Sequence, residues 1–264
     1  MSFKRKPGRP LSAPADISGL KAPLAFVHIP KTAGTSFVRY LEGHFAKDHI
    51  APPFLGDFNA IQISDPSKKL FWGHFRIVDI ARYLPHALFL TFLRHPVSRS
   101  YSQYKSWHNP RNFPKDDPWR KAMTPEQIDD IEFAQKVSFD EFVNGRRPRF
   151  ETELRDVQTL MLSSYQPGTP QFLSSAKENL ARMTFFGIVE EFEISIKQLQ
   201  SQILGFKTYD IATELENRSD ASPLSLSKKG ADRLADMLQN DMELYKYAVE
   251  LFSERTKGAF KRDC

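Results

Sequence analysis

The 264-residue sequence contains a single cysteine, Cys264, and no hydrophobic run that approaches about 18 residues. The lone cysteine excludes a disulfide within the chain, and the short hydrophobic runs predict no transmembrane segment. The N-terminus is basic and polar, and it lacks the apolar core of a signal peptide. Together these absences favour a cytoplasmic protein, which we expect to be bacterial.

Acidic residues are absent from residues 1–10, which carry four lysines and arginines. The rest of the chain has 33 basic and 32 acidic residues, so the net charge of +5 comes almost entirely from this segment. A basic arm of this kind can enter the minor groove of DNA, but a flexible solvated tail is favoured. We therefore predict a disordered basic tail over residues 1–22, a single domain over residues 23–264, and no nucleic-acid partner.

The sequence also lacks the nucleotide P-loop pattern G-x-x-x-x-G-K-[ST]. His, Cys and Asp residues are not clustered at the spacing of metal ligands, so no metal site is predicted. A nucleotide-dependent phosphotransferase would need an aspartate for Mg²⁺ at a strand end, and none is convincing. This enzyme class is kept as an alternative with little support.

An apolar run over residues 24–29 leads into a small polar loop and then into an amphipathic stretch. The loop reads Pro30-Lys31-Thr32-Ala33-Gly34-Thr35-Ser36, with one lysine, one glycine and three hydroxyl side chains. A strand, loop and helix in this order can bind an anion, because loop N–H groups and the helix N-terminus point at the ligand. Lys31 adds a positive charge. The alternative is an ordinary strand-to-helix turn with Ser36 as the N-cap.

A second apolar strand, predicted over residues 88–93, runs directly into Arg94. Pro96 suits the first turn of a helix, on which Arg99 and Ser102 share a face. Open α/β sheets bind ligands at the carboxyl ends of their strands, and arginine suits phosphate recognition. These residues therefore predict a phosphate site, with a solvated basic helix start as the alternative.

A third short strand, predicted over residues 70–73, ends just before His74. A neutral imidazole can take a proton near neutral pH, so His74 is a candidate general base. His28 lies inside the first predicted strand, where a hydrogen-bonded role in the core is favoured.

The alternation of strands and helices predicts an α/β fold with a parallel sheet. A fourth strand is expected over residues 183–189. Prolines break the alternation over residues 108–150, which predicts an irregular, variable insert of the kind that often selects a substrate. Two short helices are predicted within it, over residues 125–136 and 138–144. Arginines in and near this insert, with Trp107, would form either a groove for a sugar or a solvated charge run; they are Arg146, Arg147 and Arg149.

The loop 30–36 and the later pattern Arg94-x-Pro96-x-x-Arg99-x-x-Ser102-x-Tyr104 together resemble the sulfotransferase superfamily. The similarity is to its carbohydrate branch, which includes heparan sulfate 2-O-sulfotransferase and bacterial relatives. It implies a P-loop-like three-layer fold with a central parallel sheet flanked by helices. It also implies transfer of the sulfuryl group from 3′-phosphoadenosine-5′-phosphosulfate (PAPS) to an acceptor hydroxyl, on a carbohydrate.

The resemblance implies a role for each site residue. Lys31 would contact the oxygen that bridges sulfate and phosphate, and His74 would be the catalytic base. Arg94 and Ser102 would hold the 3′-phosphate, and a basic residue such as Arg218 would close over the nucleotide. The residues implied to wrap the 5′-phosphate are Thr32, Ala33, Gly34, Thr35 and Ser36.

One position departs from the family pattern. Heparan sulfate 2-O-sulfotransferase has a second histidine before the glycine, and this chain has Trp72 there. The departure puts a mechanism with two histidines in doubt. It also supports a further alternative, a catalytically silent module that only binds the nucleotide.

Overall fold

The structure of the chain, a computed structural model, describes residues 15–16, 20, 22–54, 63, 65–114, 118–204, 206 and 225–260. These residues fall into two compact units. The first unit takes the described residues up to Arg94, those from Gln158 to 206, and those from Glu243 onward. The second takes His95–Val157 and the described residues from 225 to Met242. The single domain over 23–264 with its insert stays a prediction.

Six strands occur in the described part of the chain. They are β1 (Ala15–Asp16), β2 (Leu24–Val27), β3 (Leu70–Gly73), β4 (Leu88–Leu93), β5 (Phe185–Ile188) and β6 (Ile203–Leu204). The central sheet has the order β3-β2-β4-β5, and all of its strands are parallel. β1 lies within the predicted tail and pairs with β6. The predicted α/β fold with a central parallel sheet is confirmed.

β2 lies at the centre of this sheet, with Leu24 opposite Leu70 on one side and Leu88 on the other. The strand was predicted to continue to residue 29, but it ends at Val27. The reason is local: the Ile29 N–H donates back to the Val27 carbonyl at 3.2 Å and turns the chain out of the strand. His28 consequently stands at the carboxyl edge of the sheet.

Twelve α-helices complete the described elements. They are α1 (Gly34–Glu42), α2 (Ile77–Ala81), α3 (Pro96–His108), α4 (Pro118–Lys121), α5 (Pro125–Lys136), α6 (Phe139–Asn144), α7 (Pro148–Leu154), α8 (Val157–Leu162), α9 (Phe172–Arg182), α10 (Phe192–Gln202), α11 (Lys228–Met237) and α12 (Gln239–Phe260). Among the described residues, no helix combines the length and apolar character needed to cross a membrane.

The core of the first unit lies between the sheet and helices α1 and α10. Phe37 of α1 packs edge-to-face on Phe26 of β2, and Phe192 of α10 stacks on Phe92 of β4. Burying aromatic rings on one face of the sheet contributes about 1.5–3 kcal/mol per side chain. This packing holds α1 over the carboxyl end of β2, where the polar loop begins.

The second unit has its own core, built from α3, α5, α6, α7 and α11. Its helix starts follow the sequence: Thr124 caps α5 and Ser138 caps α6, each with a complete capping box. Both helices were predicted from the sequence, and both are confirmed.

Candidate active site

The loop between β2 and α1 has an unusual backbone at two positions. Lys31 has a φ of 69° and Ala33 a φ of 58°, both in the left-handed region that non-glycine residues seldom occupy. Ala33 is the N-cap of α1, and its methyl group cannot cap the first N–H groups of the helix. The alternative with Ser36 as N-cap is wrong, because the helix begins at Gly34. Strain of this kind is typical of loops that are held open for a ligand.

The hydroxyl side chains of the loop have different surroundings. Thr32 is completely buried, and its Oγ1 donates to the Ile29 carbonyl at 2.8 Å. Its side chain closes the turn, so any contact of Thr32 with a phosphate has to come from its backbone. Thr35 is exposed and Ser36 is half-buried in the first turn of α1, where a hydroxyl can reach an anion at the helix N-terminus.

Gly34 is needed because the ring of His28 lies directly on it. A Cβ atom at this position would lie 1.8 Å from Nε2 of His28 and 2.0 Å from Cδ2. No side chain fits at that distance, so glycine is the residue that allows the ring and the loop to touch. The loop is thus in contact with a histidine from the end of β2.

His74 also lies at this edge, immediately after β3. Its Nδ1 donates to the His28 carbonyl at 2.7 Å, and its backbone N–H donates to the Phe54 carbonyl at 2.6 Å. Because a carbonyl only accepts, Nδ1 carries the proton and Nε2 is left as the basic nitrogen. Gly73 allows this approach, since a Cβ there would lie 2.3 Å from the Phe54 oxygen.

The rings of His28 and His74 are neighbours, with centroids 4.5 Å apart and planes tilted by 39°. Burial, the neighbouring His74 and the charge of Lys31 lower the pKa of His28 to about 3. His28 is therefore uncharged near neutral pH. The expectation of a hydrogen-bonded core histidine is wrong, because the buried Nδ1 of His28 has no hydrogen-bond partner. Both histidines directly follow a strand, and this shared position is the sequence feature that relates them.

Trp72 occupies the position of the second histidine in the family pattern. Its indole Nε1 donates to Oε1 of Glu42 at 3.0 Å, and its ring lies 6.3 Å from that of His28. The histidine next to His74 thus comes from the end of β2 and not from β3. Trp72 in place of a histidine therefore gives less support to a module that only binds the nucleotide.

Arg94 follows β4 and lies against the lysine loop. Its Nη1 donates to the carbonyl of Lys31 at 3.4 Å. Burial lowers the pKa of its guanidinium, an effect that Glu190 opposes, and arginine remains charged at any pH of interest. Two cationic side chains that are 63 residues apart in sequence therefore come from adjacent loops at one edge of the sheet.

Gln158 fixes the backbone of Arg94. Its amide Oε1 accepts from the Arg94 N–H at 2.9 Å, and its Nε2 donates to the Arg94 carbonyl at 2.9 Å. The glutamine is completely buried. These two hydrogen bonds satisfy the Arg94 backbone just beyond β4 in the way that a neighbouring strand would. Gln158 therefore positions Arg94.

The other predicted phosphate ligands are placed as follows. Ser102 lies on α3 in the second unit and is half-buried. Arg99, predicted to share its face, is completely buried, with Nη2 donating to the Glu153 carbonyl at 2.7 Å. The Arg99 guanidinium is thus hydrogen-bonded within the second unit. Arg218 lies outside the described residues, and Lys228 is the first residue of α11.

Within the second unit, two of the arginines expected in an acceptor groove have partners. Arg147 forms ion pairs with Asp129 at 2.6 Å and Asp130 at 2.8 Å. The guanidinium of Arg149 lies 4.7 Å from the ring centre of Trp107. Trp107 is itself buried in the core of this unit, so Arg149 packs on a core ring, and Arg147 is paired with two carboxylates.

Residues 20–248 match the family model described as "Sulfotransferase family". The human heparan-sulfate 6-O-sulfotransferase 3 is 25% identical over 283 residues, covering 88% of this chain and 58% of that protein. The chicken heparan-sulfate 6-O-sulfotransferase 2 is 24% identical, with 88% and 67% covered. The human heparan-sulfate 6-O-sulfotransferase 1 is 27% identical, with 88% and 66% covered.

These relatives refine the resemblance seen in the sequence. They are 6-O enzymes, whereas the sequence pattern pointed to the 2-O enzyme, and they come from animals and not from bacteria. The chain spans about 58% of the length of the human 6-O-sulfotransferase 3. The family model covers the lysine loop, the histidine after β3 and the arginine after β4. The chain belongs to the sulfotransferase family.

Proposed function

We propose that this protein transfers the sulfuryl group of PAPS to a hydroxyl group of a carbohydrate. The observation that carries the proposal is the arrangement at the carboxyl edge of the sheet. A strained loop with Lys31, the open N-terminus of α1, and Arg94 come together there, with His74 beside them. PAPS carries phosphate at its 5′ and 3′ positions and so needs two cationic groups, and Lys31 and Arg94 come from adjacent loops at this edge.

The residues fit the donor in their chemistry. PAPS supplies a sulfuryl group whose S–O bond to the 5′-phosphate breaks as the acceptor oxygen bonds to sulfur. Lys31 and the N–H groups of residues 32–36 stabilise the negative charge that grows on the leaving phosphate. Arg94 binds the 3′-phosphate, and the family pattern assigns Ser102 to the same phosphate. Arg218 is kept as the residue that closes over the nucleotide.

His74 takes the proton from the acceptor hydroxyl at Nε2. Its Nδ1–H bond to the His28 carbonyl holds the ring in the tautomer that this step requires. Bound this way, the ring turns its basic nitrogen away from the backbone. His74 therefore takes up the proton, and the electron pair of the broken S–O bond stays on the 5′-phosphate of the nucleotide.

The acceptor is a glycan. The relatives named for heparan sulfate suggest a sulfated or carboxylated sugar chain, and their 6-O designation suggests a primary hydroxyl. A cytoplasmic, bacterial setting stays a prediction, because the relatives found are animal proteins. Among the described residues no group of three His, Cys, Asp or Glu side chains could hold a metal ion.

A transfer assay tests this function. The full chain with ³⁵S-labelled PAPS and a panel of glycans is expected to label a polysaccharide without added Mg²⁺. Heparan sulfate lacking 6-O-sulfate, the same polymer lacking 2-O-sulfate, and a neutral glucan form the first panel, so that the labelled polymer reports the hydroxyl used. Mg²⁺-dependent consumption of ATP without sulfate transfer would instead support a phosphotransferase. Tight binding of 3′-phosphoadenosine-5′-phosphate (PAP) with no transfer to any glycan would support a silent module.

Replacing Gln158 with methionine should weaken binding of the 3′-phosphate specifically. Methionine keeps the length of the side chain but loses both bonds to the Arg94 backbone. We expect the affinity for PAP to fall about tenfold, and that for adenosine 5′-phosphate to change less than about twofold, in isothermal titration calorimetry. Gln198→Met, a similarly buried glutamine on α10, is the control. Equal losses for both nucleotides would show that Gln158 supports the fold and not Arg94.

A further inference from the structure

His28 contacts three parts of the candidate site at once. Its ring lies on Gly34 of the lysine loop, 4.5 Å from the ring of His74, and stacked at 5.4 Å on Phe26 of β2. Its carbonyl accepts the Nδ1–H of His74. It is 9% exposed, so it is nearly enclosed by these neighbours. A single residue therefore connects the loop expected to bind the donor with the expected base.

The nitrogen atoms of this ring are not explained by packing. The buried Nδ1 has no hydrogen-bond partner, and leaving a buried polar atom unpaired costs about 1–3 kcal/mol. An apolar side chain at this position would avoid that cost. Buried polar groups kept without a partner are often found at functional sites, where they serve another group.

We infer that His28 is a positioning residue for His74, a neutral imidazole that holds the ring of the base and stabilises it when it is protonated. This inference rests on the proposed function. An uncharged ring next to His74 supplies a polar surface as the base becomes an imidazolium. A phenyl ring cannot do this, and a second permanent cation would oppose it.

The charge state of His28 follows from its surroundings. The titratable and charged groups that act on it are His74, after β3, and Lys31, in the loop. Both disfavour a proton on His28, as does its burial. His28 thus stays neutral while Lys31 is charged and His74 exchanges its proton. A residue that supports this base has to be polar but uncharged, and His28 is both.

The test uses the full chain with His28→Phe and His28→Asn. In each variant, we expect kcat to fall about 10- to 100-fold while the affinity for PAP in calorimetry stays within about threefold. The acid limb of the kcat profile should move to lower pH by about half a unit or more in His28→Phe, because an apolar neighbour disfavours the protonated form of His74. Trp72→Phe, which changes another ring near His28, should leave the acid limb in place.

A second measurement does not depend on turnover. The titration of the His74 imidazole is followed by NMR on histidine-labelled protein, with His74→Asn to identify the signal. Its midpoint should be lower in His28→Phe than in the wild type. An unchanged midpoint in both variants, or a loss of kcat that only follows a loss of PAP affinity, overturns the proposal. A wild-type protein that transfers no sulfate rejects the proposed function instead, and the NMR comparison still decides the role of His28.

Discussion

Replacing His74 with asparagine is expected to lower kcat for sulfate transfer by a factor of about 10²–10⁴ and to leave PAP binding within about twofold of the wild type. Asparagine can place its amide nitrogen where Nδ1 lies, so the bond to the His28 carbonyl is kept. The basic Nε2 is lost. The acceptor hydroxyl then has no group to receive its proton, while the cationic groups expected to bind the nucleotide are unchanged.

The matched control is His44→Asn. In His44, too, Nδ1 bonds to a main-chain carbonyl, that of Tyr40 at 2.8 Å, but the residue lies just beyond the C-terminal end of α1, whereas the candidate site lies at the N-terminal end of that helix. Steady-state kinetics with labelled PAPS and calorimetry with PAP check both variants. His74→Asn with near wild-type kcat would show that another group takes the proton. A loss of PAP affinity as large as the loss of kcat would place His74 in nucleotide binding.

A further prediction, with a smaller expected effect, concerns the pH dependence of kcat. If His74 is the base, kcat should rise with pH as its imidazole loses a proton, and this rise should be absent in His74→Asn. His28 does not produce the rise, because its pKa of about 3 keeps it neutral throughout the usual range of an assay. An acid limb that persists unchanged in the residual activity of His74→Asn would point to a different titrating group.

The sequence was sufficient for the parts of the site that depend on one segment at a time. Lys31 and Gly34 follow one apolar run, His74 another and Arg94 a third, and each residue type suits its expected chemistry. In a parallel sheet the carboxyl ends of all strands face one edge, so these residues were expected to meet there. The order β3-β2-β4 brings these three strand ends next to one another.

The parts that depend on contacts between segments could not be predicted in the same way. Pairing of Val27 with Gly73 sets His28 beside His74, but the order and register of the strands are not written in either segment. Arg99 shares a helix face with Ser102, yet carbonyls more than fifty residues away bury its guanidinium. Gln158 lies 64 residues from Arg94 in sequence, and only the folded chain brings its amide to the Arg94 backbone. Tertiary packing decided each case.

Gly34→Ala is expected to abolish both nucleotide binding and turnover. The new Cβ would lie 1.8 Å from Nε2 of His28, and the ring cannot easily retreat because it is stacked on Phe26 and lies against His74. The loop backbone must therefore move, and with it Lys31 and the first turn of α1. We expect PAP affinity to fall more than tenfold, kcat to become undetectable, and the free energy of unfolding to drop by about 1–3 kcal/mol.

Gly43→Ala is the matched control at the other end of α1. A Cβ there would meet the Arg39 and Tyr40 carbonyls at 3.5 Å, an ordinary contact, and Gly43 has a right-handed φ of −64°. Each Gly→Ala change restricts the backbone of the unfolded chain to the same extent. A difference in stability between the two variants therefore reports the clash with the His28 ring. Calorimetry with PAP and denaturant unfolding measure the two effects.

The double variant Gly34→Ala/His28→Ala separates the loop from the base. Removing the ring makes room for the new methyl group, so PAP affinity should return to within about threefold of that of His28→Ala alone. Turnover should stay low, because the double variant still lacks the ring that orients His74. If Gly34→Ala binds PAP like the wild type, the loop does not form the nucleotide site. If the double variant fails to recover binding, a clash with the His28 ring is not the reason that glycine is required, since the three atoms nearest the new Cβ are all ring atoms that the double variant removes.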